Sequence, residues 1–378
     1  MRAPTTSGSA TREPGDNLRQ KFVERLSRLT AIDSPSRGAE QEAVAVEISS
    51  WLAPLGCRTT WVDEPDGRAR SMVVTLAGET GVVVALLGHT DTVFPLGEAG
   101  RRPFRSNGNR CTGPGVADMK GGLVLAAMAM ERLAADRPRP EVRFLICADE
   151  EVRRRAPAVA GHTDGAAMAL VFECARANGD LVSTRKGAVW RTLELTGRPA
   201  HAGADTARGR SAVSALATEI IRIEALSHGR SEMTSVVTTV AGGDSANTVP
   251  GFARATIDIR SSDPSDLAFA LTALERPSGR EGVTAAIADR GTWPPMPRAD
   301  RLVEAAIAIA AELGLTIGER LSGGVSDGCW TGERGIPTVD GLGPCGALGH
   351  TPDEWIEIDT VPARIELAAR LVLAAPTK

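Results

Sequence analysis

The segment "GVVVALLG", residues 81–88, carries no polar side chain along its whole length. A strand that is apolar on both faces must be covered on both faces, so the segment predicts a sheet with helices packed on each side. Two further apolar runs, "VRFLICA" at 142–148 and "GAAMALVF" at 165–172, follow a helical pattern at 118–136. Strands that alternate with helices in this way indicate an α/β fold.

The middle of the chain has a different order of elements. Patterns typical of strand, helix, strand, strand, helix and strand follow one another over residues 188–291. This is the split-βαβ order, which predicts a small α+β domain of ferredoxin-like type inserted into the larger α/β domain. We therefore expect three segments: residues 1–187, the inserted residues 188–294, and residues 295–378, which complete the larger domain.

The first residues of the chain are polar. Residues 1–16 lack the apolar core of a signal peptide and are expected to form a disordered leader. Two amphipathic helices are predicted over residues 16–55, with Asp16 and Ser36 as candidate N-caps.

Composition excludes several classes of protein. A net charge of −4 and the absence of a basic stripe argue against a nucleic-acid partner. No apolar run approaches the roughly 20 residues of a membrane span, so no membrane partner is expected. The six cysteines are scattered without a C-x-x-C pair, which fits a reducing compartment and predicts a cytoplasmic protein.

Metal-binding side chains follow the apolar strands of the larger domain. In open α/β sheets, ligands bind beyond the carboxyl ends of the strands, so side chains delivered to that edge describe one site. The histidines and carboxylates at these positions are His89 and Asp91, then Asp149, Glu150 and Glu151, then Glu173, with Asp118 at a helix entrance and His350 after the last expected strand.

Charge balance suggests what such a cluster binds. Carboxylates gathered at a sheet edge repel one another and are costly to bury without compensation. Two histidines and three carboxylates suit a pair of zinc ions ~3.5–4 Å apart that share one carboxylate. A further carboxylate would remain unbound as a general base for an attacking water.

Six short motifs occur in a characteristic order: "GHTDTVFP", "GPGVADMKGG", "DEE", "PAHAG", "NTVP" and "GHTPDEW". Together they resemble the di-zinc family of acetylornithine deacetylase, succinyl-diaminopimelate desuccinylase, aminoacylase and the glutamate carboxypeptidases, and most of all the glutamate carboxypeptidase branch. The resemblance implies a mixed-sheet catalytic domain with an inserted lid and dimerisation domain, and a homodimer as the assembly.

The resemblance also implies a metal centre with two zinc ions per chain, for which cobalt or manganese could substitute. The implied bridging ligand is Asp118. His89 and Glu173 would bind the first zinc, and Glu151 and His350 the second.

Catalytic and substrate-binding roles follow from the same resemblance. Glu150 matches the general base, and Asp91 matches the carboxylate that orients a zinc-bound histidine. His201 matches the histidine that stabilises the oxyanion, usually supplied across a dimer. Asn247 and Arg260 match lid positions that help to hold substrate.

Simpler interpretations exist for several of these residues. Asp118 could cap its helix, which is a common role for aspartate. The carboxylates at 150 and 151 could be surface charges paired with the arginine run 153–155, which replaces the Gly-Ser turn typical of the family. His162-Thr-Asp164 repeats the letters of the first motif but follows no strand, and is expected in a surface loop.

The leading functional hypothesis is a zinc-dependent metallohydrolase that cleaves an amide bond next to a free carboxylate in a small molecule or short peptide. It would be carboxypeptidase-like, with C-terminal glutamate as a candidate leaving residue. Trp293 stands where the family often has an arginine, which weakens the case for glutamate. The alternatives are an N-acyl-amino-acid deacylase and a non-catalytic homologue that binds small acids.

Overall fold

The computed structural model describes residues 14–65, 69–277 and 279–376. Its helices are α1 (Pro14–Thr30), α2 (Gln41–Leu52), α3 (Glu98–Arg101), α4 (Gly121–Leu133), α5 (Ala212–Glu224), α6 (Pro264–Leu274), α7 (Asp300–Glu312), α8 (Gly328–Glu333) and α9 (Val361–Leu373). Its strands are β1 (Arg58–Val62), β2 (Ser71–Leu76), β3 (Val83–His89), β4 (Arg105–Asn107), β5 (Arg110–Thr112), β6 (Glu141–Cys147), β7 (Met168–Val171), β8 (Leu181–Arg185), β9 (Gly187–Thr196), β10 (Thr234–Gly242), β11 (Phe252–Ser261), β12 (Thr284–Trp293), β13 (Glu319–Ser322), β14 (Thr338–Val339), β15 (Gly346–Ala347) and β16 (Trp355–Glu357).

The central sheet has the strand order β1-β2-β6-β3-β7-β14. Strands β6, β3, β7 and β14 run parallel, whereas β2 pairs antiparallel with β6 and β1 antiparallel with β2. The sheet is therefore mixed, and the predicted mixed-sheet α/β class is confirmed. The three adjacent parallel strands β6, β3 and β7 bring their carboxyl ends to one edge.

Alternation along β3 explains why it is wholly apolar. Val84 and Leu86 belong to a large core with α1, α2, α4, α7 and α9 on one face of the sheet. Ala85 and Leu87 belong to a smaller core on the opposite face, formed with Val159 and neighbouring residues. Successive side chains of a strand point to opposite faces, so both faces here must be apolar.

A second sheet, with the strand order β10-β11-β9-β12, is antiparallel throughout. With helices α5 and α6 its elements follow the order βαββαβ, and they enclose a separate apolar core. The chain enters and leaves this unit at one point, because Arg185 and Met296 exchange two backbone hydrogen bonds of 3.1 Å. We refer to residues 187–293 as the lid and to the rest of the described chain as the core domain.

Several predictions for the N-terminal region were wrong. Helix α1 begins at Pro14, so residues 14–16 are helical rather than part of a leader, while residues 1–13 lie outside the described residues. Asp16 lies inside the first turn of α1 and pairs with Arg19 at 3.1 Å. Ser36 caps no helix, since α2 begins at Gln41 and the Ser36 hydroxyl donates a hydrogen bond to Asp91 instead.

Within residues 14–65, 69–277 and 279–376, no helix is both long and apolar enough to cross a membrane.

Candidate metal centre and active site

The parallel strands deliver three of the predicted groups to one edge. His89 is the last residue of β3, Glu150 and Glu151 form a 3-10 turn after β6, and Glu173 comes two residues after β7. Because β3 lies between β6 and β7, the imidazole lies between the two sets of carboxylates. The rule for parallel strand ends thus accounts for this half of the site.

Asp118 and His350 arrive by other routes. Helix α4 begins at Gly121 with Lys120 at its N-cap position, so Asp118 precedes the helix and does not cap it. The sequence suggested that His350 follows a strand of the central sheet, but it does not. It lies in the loop between β15 and β16 of a separate small sheet, with a left-handed backbone (φ 67°).

Two groups of potential metal ligands share Asp118. In the first, His89 Nε2 lies 3.0 Å from Asp118 Oδ1 and 3.6 Å from Glu173 Oε1. In the second, His350 Nε2 lies 3.0 Å from Asp118 Oδ2 and 2.9 Å from Glu151 Oε2. Within each group the ligand atoms all lie within 4.8 Å of one another. Each oxygen of Asp118 therefore faces a different group.

The donor set fits divalent cations. Imidazole nitrogen and carboxylate oxygen are ordinary zinc ligands. Oε1 of Glu151 is buried and has no hydrogen-bond partner among the described residues, which leaves one ligand atom unsatisfied by the protein. Burial, reinforced by the charge of Asp118, raises the pKa of Glu173 to about 8. A carboxyl group held protonated by its surroundings releases that proton when a cation binds.

The two histidines respond to the same carboxylates. Burial disfavours the charged form of His89, but hydrogen bonds with Asp118 and Asp91 outweigh it and hold its pKa well above the usual value. Hydrogen bonds with Asp118 and Glu151 raise the pKa of His350 to about 11.

Asp91 connects the two sides of the site. Its carboxylate lies 3.3 Å from His89 Nδ1 and accepts a hydrogen bond of 2.8 Å from the Ser36 hydroxyl. It also accepts hydrogen bonds from the backbone N–H groups of Glu150 (2.9 Å) and Glu151 (3.2 Å). A single buried carboxylate thus orients an imidazole and fixes the turn that carries both glutamates.

Glu150 is buried and lines the same cavity as the two groups of ligands without belonging to either. Burial raises its pKa well above the usual value, despite the nearby positive charge of His89. A carboxylate with a raised pKa beside a metal site is suited to accept a proton and then return it.

The first arginine of the run forms its ion pair with Asp327 and not with the Glu150–Glu151 pair. Arg153 is buried and forms an ion pair with Asp327, and it also donates a hydrogen bond to the carbonyl of Ala148 at the end of β6. The first arginine of the run therefore holds the strand end in place, and the glutamates remain available to the cavity.

The lid residues are not brought to the metal ligands within one chain. His201 is exposed, and its Nδ1 accepts hydrogen bonds from the backbone N–H groups of Gly203 and Ala204 at 3.2 and 3.1 Å. Asn247 lies beside it, since its carbonyl accepts a hydrogen bond from Ala202. Neither residue lines the cavity at the metal ligands.

Arg260 is the exception among the predicted lid residues, because it lines that cavity. Its guanidinium contacts Asp258 at 2.9 Å and donates to the carbonyl of Gly323 at 2.8 Å. It therefore spans from the lid to the core domain across the mouth of the site.

The cavity has a volume of about 1100 Å³ and is lined by both the lid and the core domain. Its apolar wall includes Trp190 and Trp293. The arginines that line it are Arg37, Arg153, Arg154, Arg176, Arg185, Arg260 and Arg290. Such a cavity suits a small molecule with negative charge.

Some supporting residues were not found from the sequence. Gln41 at the start of α2 donates to Asp149 Oδ1 at 2.8 Å and accepts from the Asp149 backbone N–H at 2.9 Å, which steadies the turn after β6. Glu354 is fully buried and accepts from the N–H groups of Gly115 and Ala117, just before Asp118. Glu354 lies within the motif "GHTPDEW", which was the available signal.

Residues 85–374 match peptidase family M20/M25/M40, and the chain belongs to this family. It is therefore a hydrolase of the peptidase and amidohydrolase kind, as its motifs predicted. Among curated relatives, carboxypeptidase G2 of Pseudomonas sp. (strain RS-16) is 27% identical, with 97% of this chain and 94% of the relative covered. Acetylornithine deacetylase of Yersinia pseudotuberculosis serotype O:1b is 28% identical, with 93% and 96% covered.

Solved structures show the same fold. Aminopeptidase PepT from Bacillus cereus superposes with a TM-score of 0.80 at 21% identity, with 94% of this chain and 98% of that chain covered. The YXEP protein of Bacillus subtilis, described as a dinuclear metal-binding peptidase, superposes with a TM-score of 0.71 at 17% identity, with 96% and 100% covered.

Proposed function

We propose that the protein is a zinc-dependent hydrolase that cleaves an amide bond next to a free carboxylate, with two zinc ions per chain. The observation that carries this proposal is the pair of ligand groups that share Asp118, with Glu150 beside them in a cavity rich in arginine. Carboxypeptidase G2 is among the relatives of the chain, which favours carboxypeptidase-like cleavage with glutamate as a candidate leaving residue.

The proposed metal ligands form two sets, which correspond to the two groups of contacts described above. His89 and Glu173 would hold one ion, Glu151 and His350 would hold the other, and Asp118 would be shared by both. Bound zinc would polarise the scissile carbonyl and lower the pKa of an attacking water. The YXEP protein, which has the same fold, is described as a dinuclear metal-binding peptidase, and this supports the proposed arrangement.

Glu150 then acts as the general base. Its carboxylate accepts a proton from the attacking water and returns that proton to the nitrogen of the leaving amine. Asp91 positions Glu150 through the backbone N–H of the same residue and holds His89 through Nδ1. Arg260, which lines the cavity, helps to hold the carboxylate that neighbours the scissile bond. Asn247 lies beside His201 and would assist from the partner subunit, as proposed for His201 below.

His201 supplies a hydrogen bond to the developing oxyanion. Because its Nδ1 already accepts two backbone hydrogen bonds, the neutral imidazole carries its proton on Nε2 and can donate it. Its position outside the cavity is consistent with supply by the partner subunit of a homodimer.

The exposed edge of the lid supports that dimer. Strand β10 is an edge strand of the lid sheet and exposes Val236 and Val240, which are 47% and 60% exposed. An unpaired apolar edge strand is a site where another chain can pair. Sedimentation at micromolar concentration should show a dimer, and a monomer with full activity would rule out His201 in trans.

A second candidate function is N-acyl-amino-acid deacylation, favoured by the similarity to acetylornithine deacetylase. The deciding experiment is a panel of N-acyl amino acids and dipeptides offered to zinc- or cobalt-loaded protein, with released amine measured by ninhydrin. Release from dipeptides alone supports a carboxypeptidase, and release from acetylated amino acids supports a deacylase. No release from any of them contradicts both proposals and favours a non-catalytic homologue that binds small acids.

We also propose a cytoplasmic location. The six cysteines are free thiols, as a reducing compartment would keep them.

A further inference from the structure

Among the described residues, three of the seven arginines that line the cavity are held by ion pairs with a carboxylate of the protein. Two of them form buried ion pairs with residues distant in sequence. The third forms an ion pair with a residue two positions away in β11. These pairs are Arg153 with Asp327, Arg185 with Asp340, and Arg260 with Asp258. These three guanidiniums therefore contribute to the stability of the walls as well as to their charge.

Arg154 and Arg37 differ from that group. Both side chains are exposed and line the cavity, and within residues 14–65, 69–277 and 279–376 neither guanidinium has a hydrogen-bond or ion-pair partner. Both also line a small adjoining cavity of about 40 Å³, so they lie on the same wall. Two unpaired guanidiniums on one wall, beside the turn that carries Glu150, are available to a bound anion.

The backbone beneath both arginines is held in place. Arg37 has a left-handed backbone (φ 63°), and its N–H donates to Asp149 Oδ1, which is further fixed by Gln41. The carbonyl of Arg154 accepts a hydrogen bond of 3.3 Å from Thr292 at the end of β12. The backbone at each arginine is therefore tied to a neighbouring element while the two charged ends remain available, and such preorganisation favours affinity.

Trp293 lines the cavity close to this wall and contributes no charge to it. Its indole is 1% exposed, donates a hydrogen bond of 3.1 Å to the carbonyl of Arg153, and packs against Trp330 at 4.9 Å between ring centroids. The return from the lid to the core thus presents an apolar, neutral side chain. Arg154 is the adjacent residue that carries positive charge into the cavity.

We propose that Arg154, assisted by Arg37, binds a second carboxylate of the substrate, distinct from the carboxylate beside the scissile amide. The inference rests on the proposed amide hydrolysis and narrows its substrates to dicarboxylic ones. Guanidinium groups bind carboxylates with two parallel hydrogen bonds, which gives both affinity and orientation. The second carboxylate could belong to the leaving amino acid or to the acyl group.

Matched substrate pairs test the proposal and separate those two sources. N-acetylglutamate is compared with N-acetylglutamine, which has nearly the same shape without the charge, and N-succinylalanine is compared with N-acetylalanine. A charged hydrogen bond to substrate should favour the charged member of one pair by about ten- to a hundredfold in kcat/KM. Arg154→Gln should abolish that preference, and Arg154→Lys should restore part of it.

Two control variants address charge in general. Arg155→Gln removes a neighbouring positive charge of the same run that lines only the small cavity, and it should keep the preference. Arg176→Gln removes a charge from the part of the main cavity that follows Glu173. An equal loss in Arg176→Gln and Arg154→Gln would show an effect of total charge, and it would overturn the proposed subsite.

A binding measurement separates this proposal from the proposed function. Calorimetric titration of the Glu150→Gln protein with the same ligands should show tighter binding of the charged member, and the added Arg154→Gln change should remove the difference. Hydrolysis without any charge preference in either pair overturns the subsite alone. An absence of hydrolysis contradicts the proposed function, while the titration still decides whether Arg154 recognises a carboxylate.

Discussion

The fully buried side chain of Asp91 makes four polar contacts. It contacts His89, accepts a hydrogen bond from Ser36, and accepts two more from the backbone of Glu150 and Glu151. The hydrogen bond and charge of His89 outweigh the cost of burial and lower the pKa of Asp91. The carboxylate therefore stays ionised and accepts all of these hydrogen bonds.

Asp91→Asn tests whether Asp91 supports metal binding by positioning His89 and the turn that carries Glu150 and Glu151. An amide offers one acceptor oxygen where the carboxylate offers two, so either the glutamate turn loses an acceptor or the imidazole keeps only the backbone carbonyl of Asp91, 3.0 Å from Nδ1. Groups that support a metal-bound histidine are worth about 10–100-fold in metal affinity, and we expect a loss of this size by zinc titration. Ser36→Ala, the control, removes one neutral hydrogen bond and should leave zinc affinity near that of the wild type. Wild-type affinity in Asp91→Asn would contradict the assigned role.

Glu150 and Glu151 are adjacent in sequence but should fail differently when changed. Glu150→Gln keeps shape but cannot accept a proton, so zinc content should survive while kcat falls by roughly 10²–10⁴. Glu151→Gln removes a negatively charged ligand, so the second ion should bind weakly or be lost. Zinc stoichiometry and kcat measured side by side on both variants check this.

The opposite outcome is easy to recognise. If Glu150→Gln retained most of the activity, the base would have to be another group. If both variants lost metal to the same degree, the two glutamates would share one role.

At the scale of elements, the buried pair of Arg153 and Asp327 joins the turn after β6 to the start of α8. Both side chains are almost fully buried, with 6% and 4% exposed. Removing one partner of a buried ion pair leaves an uncompensated charge, which costs about 3–5 kcal/mol. We expect Asp327→Ala to lower the free energy of unfolding by that amount in urea denaturation.

The double variant Arg153→Met, Asp327→Leu is the matched control, because it removes both charges together. It should be more stable than Asp327→Ala. A loss below 1 kcal/mol in Asp327→Ala would indicate that the pair is solvated.

The longer elements could be predicted because their periodicity repeats often enough to be read. Strands β3, β6 and β9 to β12 and helices α4 to α6 all overlap predicted segments, with differences of one or two residues at some ends. Strands β14, β15 and β16 have two or three residues each, too few for alternation to stand out. Their existence depends on pairing with distant strands, as when β16 pairs with β5.

Some residues of the site could likewise be predicted from the sequence, and others could not. His89, Glu150 and Glu173 could be placed together because strand ends share an edge of the sheet. Gln41 could not, because it acts on a turn far away in sequence and leaves no spacing pattern. Glu354 lies within a recognised motif, but its contact with backbone groups near Asp118 could not be read from the sequence. Ser36 was misassigned for a related reason: a hydroxyl before a helix resembles a cap until its partner is seen.

At the scale of the whole molecule, metal should stabilise the folded protein. The ligands come from β3, the segment before α4, the turns after β6 and β7, and the loop before β16, so two ions would tie distant parts of the core together. Ligands that bind only the folded state stabilise it by mass action, about 2.7 kcal/mol at a hundredfold excess over Kd. Elemental analysis of zinc-loaded protein should give two equivalents, and chelation should lower Tm.

A control variant separates the two ions. His350→Ala removes a ligand of the second group only, so it should retain close to one equivalent and lose part of the stabilisation. A plateau at one equivalent in the wild type would contradict a paired site.

The single joint between lid and core has a consequence for how this molecule could be divided. Arg185 and Met296 pair as neighbouring strands do, so the chain ends left by removing the lid would lie only about 5 Å apart and a short linker could join them. Every proposed metal ligand lies outside residues 187–293, whereas His201, Asn247 and Arg260 all lie inside. The proposed metal ligands and these three lid residues therefore lie in separable stretches of the polypeptide. A shortened chain would retain the metal ligands together with Arg37 and Arg154 and would lose the part of the substrate site that the lid supplies, so new lids could be grafted onto an unchanged metal-binding core.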